Sequence, residues 1–163
     1  MKIILLTHER ERERPTNTGA IALSVAGGAQ GLVECVVWSR VHPDQGLVQM
    51  LDKGHAGLVY PRSEVEPDQV EQVMPLEACE NFVLLDATWQ EARKMYNRSP
   101  YLKRAPRVPL SPAQASRFRL RRNQKSDGLC TAECVMEILT GKGYEQVAQE
   151  VESAFIDFNQ RHR

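Results

Sequence analysis

Phe82-Val83-Leu84-Leu85-Asp86 is an unbroken apolar run that ends on a carboxylate, and Ala87 alone separates it from Thr88-Trp89-Gln90-Glu91. A short, continuous apolar run fits a strand buried on both faces, as in a parallel sheet covered by helices. Thr and Glu three residues apart have the spacing of a capping box. The Thr88 side chain bonds the backbone N–H at Glu91, and Glu91 reaches back to the N–H of Thr88. A strand that hands over to a helix within two residues constrains the chain to an α/β architecture.

The rest of the chain repeats this alternation. Apolar runs at 2–6, 32–38, 56–60 and 82–86 predict strands, with a further short strand at 107–110. Helices are expected at 20–26, at 45–51 behind a cap at Asp44, at 68–73 opened by Pro67, and from 88 to about 98, where Ser99-Pro100 breaks it. Ser111-Pro112-Ala113-Gln114 repeats the cap pattern, and 116–122 reads as strand or loop. Helices at 131–140 and 144–158 close the chain, the last with Val147, Val151, Ala154, Phe155 and Phe158 on one face. The expected fold is a mostly parallel sheet with helices on both faces. With 163 residues and 42% hydrophobic content, the chain suits a single domain over 1–163. The apolar start is too short for a signal peptide, and no run approaches a bilayer span, so the expectation is a soluble, cytoplasmic protein without a membrane partner.

Open α/β sheets bind ligands beyond the carboxyl ends of their strands. The segments 7–19, 60–63, 86–93 and 110–133 therefore carry the functional prior. Asp86 leaves a strand where a helix begins, and a helix N-terminus offers free N–H groups and partial positive charge. Such a place holds a ligand carboxylate, with Trp89 packing a flat ligand face; equally, Asp86 and Thr88 serve as caps and Trp89 as core. Thr16-Asn17-Thr18-Gly19 adds hydroxyl and amide groups at the same edge, after the charge-alternating stretch from His8 to Arg14, which reads as a solvated loop. Asp127-Gly128-Leu129-Cys130-Thr131-Ala132-Glu133 joins a second glycine loop to a helix start; there Thr131 caps and Glu133 answers the helix dipole.

Net charge is zero, yet no Asp or Glu interrupts the stretch from Arg93 to Lys125, which holds Arg93, Lys94, Arg98, Lys103, Arg104, Arg107, Arg117, Arg119, Arg121, Arg122 and Lys125. Segregated cations bind phosphates through counterion release, and the interleaved Tyr96, Tyr101 and Phe118 offer rings for bases. The alternative is a solvated face balanced by Glu64, Glu66, Asp68 and Glu71. The four cysteines form no CxxC pair, so no metal is expected; Cys35 reads as a small core residue, and Cys130 and Cys134 as packing on one helix face. GxGxxG, P-loop, GxSxG and HExxH motifs are missing, which argues against the common dinucleotide, nucleotide, serine-hydrolase and zinc-protease readings.

Asp86-Ala87-Thr88-Trp89 after an apolar strand resembles the signature of the DTW-domain family. Thr16-Asn17-Thr18-Gly19, Tyr60-Pro61 and the block from Leu129 to Glu133 match in the same order, so the resemblance spans roughly residues 5–139. It implies transfer of the 3-amino-3-carboxypropyl group of S-adenosylmethionine to a uridine of tRNA. It also implies a SPOUT-like fold with a C-terminal knot around the cofactor. Under that resemblance Asp86 is the catalytic base or the anchor for the cofactor's ammonium. Tyr60, Pro61, Asp86, Thr88, Trp89, Leu110, Cys130, Thr131 and Glu133 bind the cofactor. Asn17, Arg93, Lys94, Arg98, Arg117, Arg119, Arg121, Arg122 and Lys125 contact RNA. A SPOUT-like methyltransferase and a non-catalytic RNA-binding module are the rival readings.

Overall fold

The structure is a computed structural model that describes residues 1–28, 30–61, 72–110 and 129–161. Four strands, β1 (Lys2–Thr7), β2 (Val33–Val37), β3 (Ala56–Val59) and β4 (Asn81–Asp86), form one all-parallel sheet in the order β2-β1-β4-β3. The two most continuous apolar runs are the central pair, as burial on both faces requires. Their register sets Thr7 of β1 beside Asp86 of β4 at the carboxyl edge.

Alternation along the strands divides the core. Ile3, Leu5, Phe82 and Leu84 pack against α1 (Gly19–Ala26), α5 (Thr131–Gly141) and α6 (Glu145–Arg161). Ile4, Leu6, Leu58 and Val83 belong to the second cluster, with α2 (Gln45–Asp52), α3 (Trp89–Asn97) and α4 (Pro100–Arg104). Helices thus cover both faces. The stripe foreseen on the last helix is present, with Val151 and Phe155 fully buried. Each such side chain contributes roughly 1.5–3 kcal/mol by leaving water. Asp44 caps α2 by accepting from the Leu47 N–H at 2.9 Å.

Three expectations change. Residues 107–110 form no strand: Arg107 makes isolated parallel bridges to Leu58 and Val73. Pro106 precedes the segment and Pro109 lies within it, and both lack N–H donors, so a ladder cannot extend. Beyond Ser99-Pro100 the chain resumes as the short helix α4, with Pro100 in its first turn, where proline is tolerated. Cys35 is exposed rather than core, because β2 is an edge strand whose outer half is only partly covered. The helix expected at 68–73 falls largely, and the cap at 111–114 and the segment 116–122 entirely, outside the described residues. The described residues do not show the expected C-terminal knot.

Candidate active site

Asp86 is the centre of the carboxyl edge. It is 3% exposed. The Thr131 hydroxyl, at the start of α5, donates to Oδ1 at 2.9 Å. The Thr7 hydroxyl stands 3.3 Å from Oδ2 and is shared with the Leu5 carbonyl. Burial raises the carboxyl's pKa above its usual range, and the two hydroxyls only partly offset that rise. A Cβ on Gly19, the first residue of α1, would lie 2.5 Å from Asp86 Oδ2, so only glycine lets α1 begin this close.

The Thr-Asn-Thr-Gly segment holds this edge together. Thr18 Oγ1 accepts the Ala132 N–H at 3.1 Å, tying α1 to α5. Asn17 is 7% exposed, and its amide bonds the Glu11 carbonyl and the Ala20 N–H. Asn17 therefore lies inside the loop rather than on an RNA-facing surface. Cys130 and Glu133 close a capping box on α5, the Glu133 carboxylate accepting the Cys130 N–H at 3.2 Å. Burial pushes the Cys130 thiol well above its ordinary range.

The capping box at α3 is formed as the spacing predicts. The Glu91 N–H donates to Thr88 Oγ1 at 3.2 Å, and the Thr88 N–H to Glu91 Oε1 at 3.1 Å. Glu91 does more than cap. Arg14 grips both its oxygens at 2.7 Å and also donates to Glu11 at 2.6 Å. Burial would raise the Glu91 pKa, but Arg14, the Thr88 N–H and His8 outweigh it and hold it at about 2. His8 Nδ1 lies 3.6 Å from Glu91 Oε2 and accepts the Arg10 N–H at 3.1 Å. Its ring stacks on Trp38 with centroids 6.0 Å apart, and its own backbone N–H bonds the Asp86 carbonyl at 3.1 Å. The reading of 8–14 as a solvated loop misses this cluster. Alternating charge carries no mark of which members turn inward, and Glu11 is 1% exposed.

Tyr60 follows β3. Its ring stacks on Tyr96 at 4.5 Å, and burial pushes its pKa to about 12. The Tyr60 hydroxyl is buried with no hydrogen-bond partner among the described residues. Pro61 and Leu110 are half-buried, Leu110 against the cluster that contains α5 and α6. Trp89 is half-buried at the start of α3, whereas Arg93, Lys94 and Arg98 are exposed along that helix. Arg117, Arg119, Arg121, Arg122 and Lys125 lie outside the described residues. Asp86 and Thr131 are thus in direct contact, Cys130 and Glu133 share the same helix start, and Tyr60 stands one strand away. Among the described residues no group of three or more His, Cys, Asp or Glu is placed to hold a metal, and no helix is long and apolar enough to cross a membrane.

A parallel sheet covered by helices, whose carboxyl edge gathers a buried carboxylate, two hydroxyls and two capped helix starts, defines an α/β domain, and folds of this kind bind ligands at that edge. A family model described as "DTW domain" matches residues 1–163, and the chain belongs to that family. It is similar to tRNA-uridine aminocarboxypropyltransferase 2 of Drosophila melanogaster, at 29% identity over 146 residues, or 85% of this chain. The chain spans about half of that relative, 55% of its length. No solved structure matches.

Proposed function

We propose that the protein transfers the 3-amino-3-carboxypropyl group of S-adenosylmethionine to N3 of a uridine in tRNA. The observation that carries this reading is Asp86, buried at the carboxyl edge of the sheet and held by Thr7 and Thr131 inside the family's signature motif. The similarity to a tRNA-uridine aminocarboxypropyltransferase supports the reaction class. The reading includes a SPOUT-like arrangement of the site and a cytoplasmic location.

The residues present fit such a cofactor. The buried Tyr60 hydroxyl at the strand end has no partner among the described residues, and a ligand would supply one. Asp86, whose oxygens each accept one hydroxyl, keeps acceptor capacity for an ammonium. Pro61, Leu110, Cys130 and Thr131 flank the adenosyl part, and Glu133 is a second group for the ammonium. Trp89 bounds the pocket. Thr88 and Glu91 are spent on each other, so they fix the helix start whose N–H groups face a ligand carboxylate. When bound, the cofactor supplies an activated carbon beside a sulfonium. The two roles of Asp86 are alternatives: with the ammonium held by Glu133, the carboxyl keeps the proton affinity that burial raises and is suited to take the proton from uridine N3 as general base. Arg93, Lys94 and Arg98, together with the arginines of 117–122 and Lys125, bind tRNA phosphates.

Mass spectrometry after incubation with S-adenosylmethionine and unmodified tRNA tests the reading. Methylthioadenosine with a uridine heavier by one aminocarboxypropyl group is the expected result. S-adenosylhomocysteine would replace it with methyl transfer. RNA binding without any cofactor binding would reduce the protein to a binding module.

A further inference from the structure

We infer that Arg14 is a positioning residue: its two-pronged grip on Glu91 sets where the start of α1 rests against the Asp86 carboxylate. This rests on the uridine-transfer reading above, and it deepens it by naming what holds the proposed base in its setting. Residues 8–18 cross the carboxyl edge of the sheet, leaving from Asp86 and returning to it. The His8 N–H donates to the Asp86 backbone carbonyl at 3.1 Å. Arg14 then pins the segment to the start of α3, donating to both oxygens of Glu91 at 2.7 Å. At the far end Thr18 Oγ1 accepts the Ala132 N–H of α5, and Gly19 packs on Asp86 Oδ2. Printed bonds join the two ends. Arg14 donates from its side chain to Glu11 Oε2 at 2.6 Å and from its backbone to the Glu11 carbonyl at 3.2 Å. The Asn17 side-chain amide donates to that same carbonyl at 2.9 Å, and the Asn17 N–H donates to the Arg14 carbonyl at 3.1 Å. Asn17 Oδ1 accepts the Ala20 N–H in the first turn of α1.

The grip is strong enough to hold position. The Glu91 and Glu11 side chains are 13% and 1% exposed, so the pairing is withdrawn from water, where charge-assisted, two-pronged bonds keep their strength. A fully exposed pair would hold little. Three groups meet the Asp86 carboxyl: the Thr7 hydroxyl of β1, the Thr131 hydroxyl of α5 and Gly19 of α1. The titratable groups at the same edge are His8 after β1, Glu91 in α3, and Cys130 and Glu133 at the start of α5; α1 has none. None of them moves the proton affinity of Asp86, which burial raises and the two hydroxyls partly restore. With the grip released, α1 withdraws from Oδ2 and water takes its place, which lowers that affinity. A cation acting on Asp86 directly would have the opposite effect, because its removal raises the affinity. The direction of the change therefore separates position from charge.

Two measurements on the full chain test this. The first is the titration midpoint of Asp86 by carbon NMR of the side-chain carboxyls, with Asp86→Asn assigning the signal. The second is single-turnover formation of the modified uridine with saturating S-adenosylmethionine and unmodified tRNA. Arg14→Gln removes both charge and fork. Arg14→Lys keeps the charge, and with it the pairing that favours folding, but loses the fork. The Asp86 midpoint is expected to fall toward the ordinary carboxylate range in Arg14→Gln, and to fall less but in the same direction in Arg14→Lys. Turnover in Arg14→Gln is expected to slow by about 10- to 100-fold, as for a misplaced reacting group. A midpoint that rises in Arg14→Gln and holds in Arg14→Lys would make Arg14 a charge acting on Asp86 and overturn the inference. An unchanged midpoint in both variants, whatever the rate, would overturn it by leaving Arg14 a link between α3 and its neighbouring segment. A lowered midpoint with parental turnover would overturn it as well. A parent that forms no product overturns the uridine-transfer reading instead, while the midpoints still report whether Arg14 sets the position of α1 on Asp86.

Discussion

Gly19 and Asp86 are packed so closely that a methyl group on residue 19 would stand 2.5 Å from Asp86 Oδ2 and 2.8 Å from its carboxyl carbon. The start of α1 and the end of β4 are therefore fitted to each other. Gly19→Ala must displace the carboxylate or the helix. The expected outcome is a loss of about 1–3 kcal/mol in stability by overpacking, read by denaturant unfolding, together with weaker cofactor binding. An unchanged midpoint and affinity would show that the edge yields freely.

Asp86→Asn separates stability from function. The folded pKa is raised, so the native state holds this proton more tightly than the unfolded chain does. The penalty is absent at pH below the unfolded value and grows as pH rises through the folded one. At neutral pH the amide is thus expected to be as stable as the parent or more so. Activity is expected to fall by about 10²–10⁴, as for loss of a general base. Full activity would remove Asp86 from the mechanism.

The Tyr60 hydroxyl, buried without a partner among the described residues, makes Tyr60→Phe informative. Removing such a hydroxyl is expected to leave stability equal or raise it by about 1 kcal/mol. S-adenosylmethionine binding, measured by titration calorimetry, is expected to weaken. Unchanged affinity would place the hydroxyl outside the cofactor site.

Glu91 ties α3 to the 8–14 segment through Arg14. Its folded pKa of about 2 lies below the ordinary glutamate value of 4.5, so its stabilisation is present above about 4.5 and drains away as pH falls toward 2. Glu91→Gln preserves the capping geometry and removes the charge. A loss of about 1–2 kcal/mol at pH 7, vanishing near pH 2, is expected from thermal melts. A pH-independent loss would assign the effect to packing.

Arg93, Lys94 and Arg98 present three exposed cations along α3. Replacing all three by Gln is expected to weaken tRNA binding. The dependence of log affinity on log salt is expected to flatten by about 2, since each phosphate left without its cation removes about 0.7–0.9 from the slope. An unaltered slope would move the RNA interface elsewhere.

Local chemistry was legible from the sequence wherever it acts over three or four residues. The strand at 82–86, the Thr88–Glu91 box and the Asp44 cap each follow from short-range backbone hydrogen bonding, and each is present. The apolar runs likewise determined a buried parallel sheet, because a strand with no polar face must be covered twice. Tertiary structure alone decided which distant groups meet. Thr131 reaches Asp86 across 45 positions, and Arg14 reaches Glu91 across 77. Those meetings depend on the strand order β2-β1-β4-β3, to which no local preference refers. The same order exposes Cys35 on an edge and turns Glu11 inward from a run of charges whose alternation reads as uniformly solvated. Burial is a property of position in the assembled sheet, and equal residues in a sequence become unequal only when the sheet places them.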